Sequence, residues 1–229
     1  MKSELNSRIN TSILLLIIIY ICIFINLYIS LICLMIISIV SWFEFTRMTN
    51  KIYAPKHEFV ANLILILSSL YFIIFTGISY YIIEIDRIYF FYLISICAFS
   101  DIGGYAIGKT FKGKKLTKIS PNKTISGTLG SFIFALIPCI VLKIIFLYTD
   151  LYFLSFAKNF FDNFIMSLFL SLVCQLGDLF ISYFKRLADV KDTGKILPGH
   201  GGLLDRIDGI IFAIPSFGFL GYLLNFLNY

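Results

Sequence analysis

Five of the thirteen acidic residues lie between Asp178 and Asp208, and their neighbours suggest phosphate chemistry. Asp205 and Asp208 are spaced i, i+3 in Leu203-Leu204-Asp205-Arg206-Ile207-Asp208, so at the start of a helix both carboxylates would face one point. Two carboxylates so placed suit Mg²⁺, which takes oxygen ligands shared among protein, water and substrate phosphates. Just upstream, Gly199-His200-Gly201-Gly202 supplies glycines that let main-chain N–H groups approach a phosphate. Asp178 lies within an apolar stretch, where a charge is costly and is kept for a task. On a helix, Ser182 and Lys185 would follow it one and two turns later on the same face. Taken singly, each has a simpler reading: helix-start acids that favour the macrodipole, or basic residues that set orientation. His200 is as compatible with a structural loop histidine as with a phosphate contact, and His57 reads as surface. It is the concentration of so many such groups in one segment that points to chemistry.

A second polar cluster begins at Asp101, followed by Gly103-Gly104-Tyr105 and Gly108-Lys109. After a lysine-rich loop comes Ser120-Pro121-Asn122-Lys123-Thr124. Asp101 in an apolar helix suggests a polar pocket facing the inside of a bundle, although structural pairing is the alternative. The Gly104–Gly108 spacing also permits close helix packing without any catalytic role.

These groups must be positioned by elements that live in lipid. Of the 229 residues, 59% are hydrophobic and 14% charged, against about a quarter charged in a soluble domain. The fold expected is all-α, a polytopic transmembrane bundle of about seven spans, near 12–27, 28–46, 59–80, 88–108, 126–148, 163–184 and 207–227. The uncharged run from Thr11 to Phe43 is too long for one ~30 Å crossing, so it is divided at a tight turn around Asn26. One long tilted span, giving six in total, is the alternative. Continuous apolar runs without period-2 alternation argue against a β-barrel. The whole chain, 1–229, reads as a single membrane domain, with N-terminal helices over about 1–58 and the polar clusters over about 88–229.

Loop charge alternates. Arg47, Lys51 and Lys56 follow the second span. Lys109, Lys112, Lys114, Lys115, Lys118 and Lys123 follow the fourth, and Lys185, Arg186, Lys191, Lys195 and Arg206 follow the sixth. The intervening loops hold only Arg87 and Lys158, beside Glu84, Asp86, Asp150 and Asp162. The three basic loops are therefore expected at the cytoplasmic face, and the polar clusters with them. The net charge of +6 is spread over these loops with no basic, aromatic-interleaved face, so nucleic-acid binding is not expected. Cys22, Cys33, Cys97, Cys139 and Cys174 all lie in apolar runs with no CxxC spacing, which disfavours zinc or a disulfide framework.

The segment Ser182–Asp208 resembles the phosphatidate cytidylyltransferase (CDP-diglyceride synthetase) family. Its fixed positions S-x-x-K-R, K-D, H-G-G and D-R-x-D are met by Ser182, Lys185, Arg186, Lys191, Asp192, His200, Gly201, Gly202, Asp205, Arg206 and Asp208. Upstream, DIGGY and SPNKT resemble the blocks D-x-G-A-Y and S-P-x-K-T, so the likeness covers roughly residues 95–215. Gly104 stands where the family usually has Ala, and Ser126 where it usually has Glu. Ser126 can therefore take no carboxylate role.

The resemblance implies an enzyme of a bacterial cytoplasmic membrane, with its active site at the cytoplasmic ends of the C-terminal helices. A phosphate oxygen of phosphatidic acid would attack the α-phosphorus of CTP, giving CDP-diacylglycerol and pyrophosphate. It implies metal ligation by Asp178, Asp205 and Asp208, with one magnesium and room for a second cation. Lys185 and Arg206 would join the aspartates as catalytic residues. Ser182, Arg186, Lys191, His200, Gly201 and Gly202 would bind substrate, as would Asp101, Lys123 and Thr124 from the opposite wall. CTP, phosphatidic acid and membrane lipids are the implied partners, with a homodimer implied by the likeness alone. A CTP-dependent polyprenol kinase would use similar parts but release CDP, and HGG…DRID argues against it. A non-catalytic lipid-binding or transport protein would place polar groups near the midplane, whereas here they gather toward one face.

Overall fold

The computed structural model describes residues 20–21, 23–54, 57–117, 120, 123–148, 159–197 and 201–223. The elements are α1 (Leu27–Tyr53), α2 (Glu58–Ile85), α3 (Arg87–Phe111), α4 (Ile125–Tyr148), α5 (Phe160–Leu187), the single turn α6 (Leu204–Ile207) and α7 (Ile210–Leu223). The first five are long and apolar enough to cross a membrane. No more than 39% of the most apolar stretch of any of them is buried, so most of their hydrocarbon surface requires lipid as solvent. This is the polytopic helical bundle expected from composition.

Asn26 breaks the first apolar run as expected. Its backbone is extended, and its side-chain oxygen accepts from Tyr28 N at 2.9 Å, capping α1. The span expected over 12–27 lies mostly outside the described residues. Helices overrun the apolar limits where basic residues continue them: α1 reaches Tyr53 rather than 46, with Lys51 in its last turn, where a cation favours the helix dipole. The last span differs most. Instead of one helix from 207, the turn α6 ends at Ile207, Asp208-Gly209 interrupts, and α7 starts at Ile210. Glycine is a poor helix interior residue, and it falls at this break.

The chain divides into two compact units, with boundaries inside α5 and at the start of α7. The first comprises the described residues up to Arg87 together with Ile181–Ile211. Here α1 and α2 pack through short polar side chains, with Ser38 Oγ 2.6 Å from Thr76 Oγ1 and Trp42 Nε1 donating to Ser68 Oγ at 3.2 Å. In lipid, such small side chains allow close approach and interhelical hydrogen bonds. Tyr71 OH donates to the carbonyl of Ile211, and the Phe45 and Phe184 rings meet at 5.4 Å.

The second unit comprises Ile88–Phe180 and the described residues from Phe212. Its α3 and α4 touch through glycine. A Cβ at Gly103 would fall on the carbonyl oxygen of Gly130, and one at Gly127 would lie 2.8 Å from that of Gly104. The expected close-packing role of the Gly104–Gly108 pair is met, since a Cβ at Gly108 would lie 3.4 Å from Gly127 Cα. Buried hydroxyls join α3 to α5, Ser100 to Ser171 at 2.8 Å and Tyr92 to Ser167 at 3.3 Å.

Candidate active site

In the first unit, the end of α5 aims the site loop. Val190 N donates to Lys185 O and Asp189 N to Arg186 O, the paired bonds of a Schellman ending. Asp189 takes the left-handed position at φ +50°, where glycine is usual. The chain then turns through Thr193 and Gly194 and returns at Gly201, whose φ of +81° also needs glycine. A Cβ at Gly201 would come 2.9 Å from Asp205 Oδ2, so the absent side chain makes room for the carboxylate.

Asp205 is the hub of this loop. Lys185 Nζ donates to its Oδ1 at 2.7 Å, with both side chains largely buried. Oδ2 accepts from Thr193 N at 2.8 Å, Gly202 N at 3.0 Å and Thr193 Oγ1 at 3.0 Å. Burial works against ionisation of Asp205, but Lys185 and the amides of Gly202 and Thr193 outweigh it and hold the carboxyl below its ordinary range. Asp208 is buried and accepts from Gly209 N at 2.9 Å. Ser182 is buried, while Arg186, Lys191 and Arg206 are exposed.

Sequence reasoning missed two members of this cluster, Thr193 and Glu44. Glu44 of α1, only 4% exposed, accepts from Thr193 Oγ1 and Leu204 N through Oε2 and from Leu203 N through Oε1, at 2.9 to 3.1 Å. A signal was present, because Glu44 is the residue that ends the uncharged run beginning at Thr11.

In the second unit, a cavity of about 300 Å³ gathers four predicted residues, Asp101, Lys123, Thr124 and Asp178, beside Tyr105 and Gln175. Lys123 Nζ is 2.5 Å from Asp178 Oδ2 and 3.4 Å from the carbonyl of Gln175. Thr124 Oγ1 accepts from Gly127 N at 3.1 Å in the first turn of α4, and Cys174 Sγ is 3.9 Å from Asp101 Oδ1. Ser126 bonds the carbonyl of Lys112 and lies 3.0 Å from Thr124 Oγ1. It thus ties α4 to the loop leaving α3, a structural use that needs no carboxylate.

The structure thus gathers Lys185 with Asp205, Gly201 and Gly202, and Asp178 with Asp101, Lys123 and Thr124. His200 lies outside the described residues. No three acidic, histidine or cysteine side chains among the described residues are grouped as a metal site. Asp178 and Asp101 line one cavity, where Asp178 is paired with Lys123 and could hold a cation only in company with water and substrate oxygens. Asp205 is already engaged by its four donors.

The chain is 37% identical over 188 residues to a phosphatidate cytidylyltransferase of Rickettsia typhi, covering 81% of this chain and 78% of that one. It is 40% identical over 170 residues to the enzyme of that name in Rickettsia prowazekii, covering 73% and 72%. To that of Bacillus subtilis it is 38% identical over 155 residues, covering 64% and 55%. The model of the cytidylyltransferase family matches residues 53–224, a range that holds both site clusters apart from Glu44, and the chain belongs to that family.

Proposed function

We propose that this protein is a CTP:phosphatidate cytidylyltransferase, a multi-pass membrane enzyme that transfers CMP to phosphatidic acid. The observation that carries this reading is the likeness to phosphatidate cytidylyltransferases over most of both chains, with the Lys185–Asp205 loop inside the matched range. A phosphate oxygen of phosphatidic acid forms a bond to the α-phosphorus of CTP, and the bond from that phosphorus to the β-phosphate bridging oxygen breaks. The electron pair leaves with pyrophosphate. A phosphomonoester has its second pKa near ~6, so the nucleophile is ionised at neutral pH and no strong base is needed.

The protein's task is to hold two mutually repelling anions and to offset the charge on the leaving group. Lys123 offers its ammonium to the cavity, oriented by Asp178 and the Gln175 carbonyl. Lys185, held by Asp205, and exposed Arg186, Lys191 and Arg206 supply positive charge around the glycine loop. Magnesium, which the resemblance implies, would supply charge neutralisation on the triphosphate, with Asp178 as the candidate ligand at the cavity. The distribution of Lys and Arg supports placing both clusters at the cytoplasmic face of the bacterial inner membrane. There the acyl chains stay in lipid while the headgroup meets CTP.

Purified protein given CTP and phosphatidic acid should release one pyrophosphate per lipid product. Release of pyrophosphate without phosphatidic acid, or none with it, would contradict the assignment.

A further inference from the structure

We propose that Glu44, on the first described helix, is the positioning residue that fixes the Thr193–Asp205 loop and through it the Lys185–Asp205 pair. Its catalytic consequence rests on the cytidylyl-transfer reading; its effect on loop position does not.

Glu44 lies between Phe43 and Phe45 in α1 and is almost wholly buried. A carboxylate there is costly unless every lone pair is well used. All three of its donors come from one distant stretch of chain: Thr193 Oγ1, Leu203 N and Leu204 N. The loop is shaped around this side chain. A Cβ at Gly194 would fall on the Glu44 carboxylate, 2.7 Å from its Cδ, and one at Gly202 would lie 2.5 Å from Oε2. Both glycines therefore let main chain lie directly against the carboxylate.

From Glu44 the connection runs to the predicted catalytic groups in two steps. Thr193 Oγ1 stands 2.9 Å from Glu44 Oε2 and 3.0 Å from Asp205 Oδ2, one hydroxyl between two carboxylates. It carries a single proton, so it donates to one of them at a time. The Thr193 amide is fixed on the same Asp205 oxygen, whose partner oxygen holds Lys185. Loss of Glu44 would free the start of α6 and Thr193 together. Asp205 would then lose the definition of three of its four bonds.

The test compares full-length wild type, Glu44→Gln, Thr193→Val and the double variant in phospholipid vesicles. Glutamine keeps the size of Glu44 but replaces one acceptor oxygen with a donor, so the Thr193, Leu203 and Leu204 donors cannot all be satisfied. Hydrogen exchange at the amides of Thr193, Gly202, Leu203 and Leu204 should quicken by about tenfold or more in Glu44→Gln, with α2 unchanged. With CTP and phosphatidic acid, kcat should fall by about tenfold or more while KM for CTP stays within about threefold. The double variant should be no worse than the more damaging single one, because both act through one contact. Glu44→Asp, which keeps the charge, should recover part of the lost kcat. Wild-type exchange in Glu44→Gln, or losses that multiply fully in the double variant, would overturn the proposal. If Glu44→Gln does not fold, Thr193→Val carries the same readouts: quickened exchange with lowered kcat supports the proposal, and wild-type exchange overturns it. A wild type without CTP turnover would sink the cytidylyl-transfer reading, while the exchange data would still decide the role of Glu44.

Discussion

Lys123 Nζ and Asp178 Oδ2 lie 2.5 Å apart at the cavity of the second unit, with 25% and 28% of their side chains exposed. A pair this open contributes less than about 1 kcal/mol to stability. On the proposed cytidylyl-transfer reading, its position among Asp101, Thr124 and Gln175 gives it a substrate-binding role. Lys123→Ala and Asp178→Asn should therefore leave the thermal midpoint within a few degrees of wild type while cutting kcat by about a hundredfold or more. A large fall in midpoint with retained turnover would assign the pair to structure instead.

The Lys185–Asp205 pair should behave differently, since its side chains are only 12% and 7% exposed. Removing either partner leaves the other buried and only partly compensated. Lys185→Met and Asp205→Asn should each lower stability by about 2–4 kcal/mol, with a coupling in the double variant of about 1.5–3 kcal/mol. Denaturation of the four proteins in one detergent measures this directly.

The same pair gives a pH dependence. Burial opposes the charge on Asp205, yet Lys185 and two amides leave its folded pKa below the ordinary 3.8. Its contribution is therefore fully present above that unfolded value and lost as pH falls through the lower folded one. In EDTA, the difference in thermal midpoint between wild type and Asp205→Asn should be constant from about pH 7 to 5 and shrink below about pH 4. A difference that grew on acidification would contradict the assigned sign.

Adjacent glycines of α3 should tolerate a methyl group unequally. At Gly103 it meets the backbone carbonyl of Gly130 and lies 2.7 Å from Phe134 Cγ, neither of which can yield without moving a helix. At Gly104 its nearest neighbour is Ser131 Oγ at 2.6 Å, a hydroxyl that can rotate away. Gly103→Ala should cost about 1–3 kcal/mol and Gly104→Ala well under half of that, read as thermal midpoints. This asymmetry agrees with Gly104 standing where similar proteins were expected to carry Ala.

Local signals in the sequence were strong where one residue acts on its own neighbourhood. Asn26 was readable as the break in the apolar run because a capping residue works within two positions of itself. Lys123 and Thr124 were singled out from a short motif, and the structure places them in one cavity with Asp101 and Asp178. Glu44 was visible only as the charge that ends the apolar run, and its contacts were not readable, because its partners are 149 to 160 positions away and no spacing rule spans that distance. The i, i+3 reading of Asp205 and Asp208 was limited for a related reason. It treats a helix face as the only determinant of direction, whereas the oxygens of Asp205 are drawn to Lys185, Thr193 and Gly202, which lie outside that helix.

The most direct test of cytidylyl transfer follows both ends of CTP at once. Protein in phosphatidic acid vesicles would receive CTP labelled at the α-phosphorus or at the γ-phosphorus, with magnesium or with EDTA. Cytidylyl transfer predicts that α-label enters a chloroform-soluble lipid, γ-label appears in pyrophosphate, and EDTA abolishes both. γ-Label entering lipid while α-label stays in aqueous CDP would contradict it and make the protein a lipid kinase.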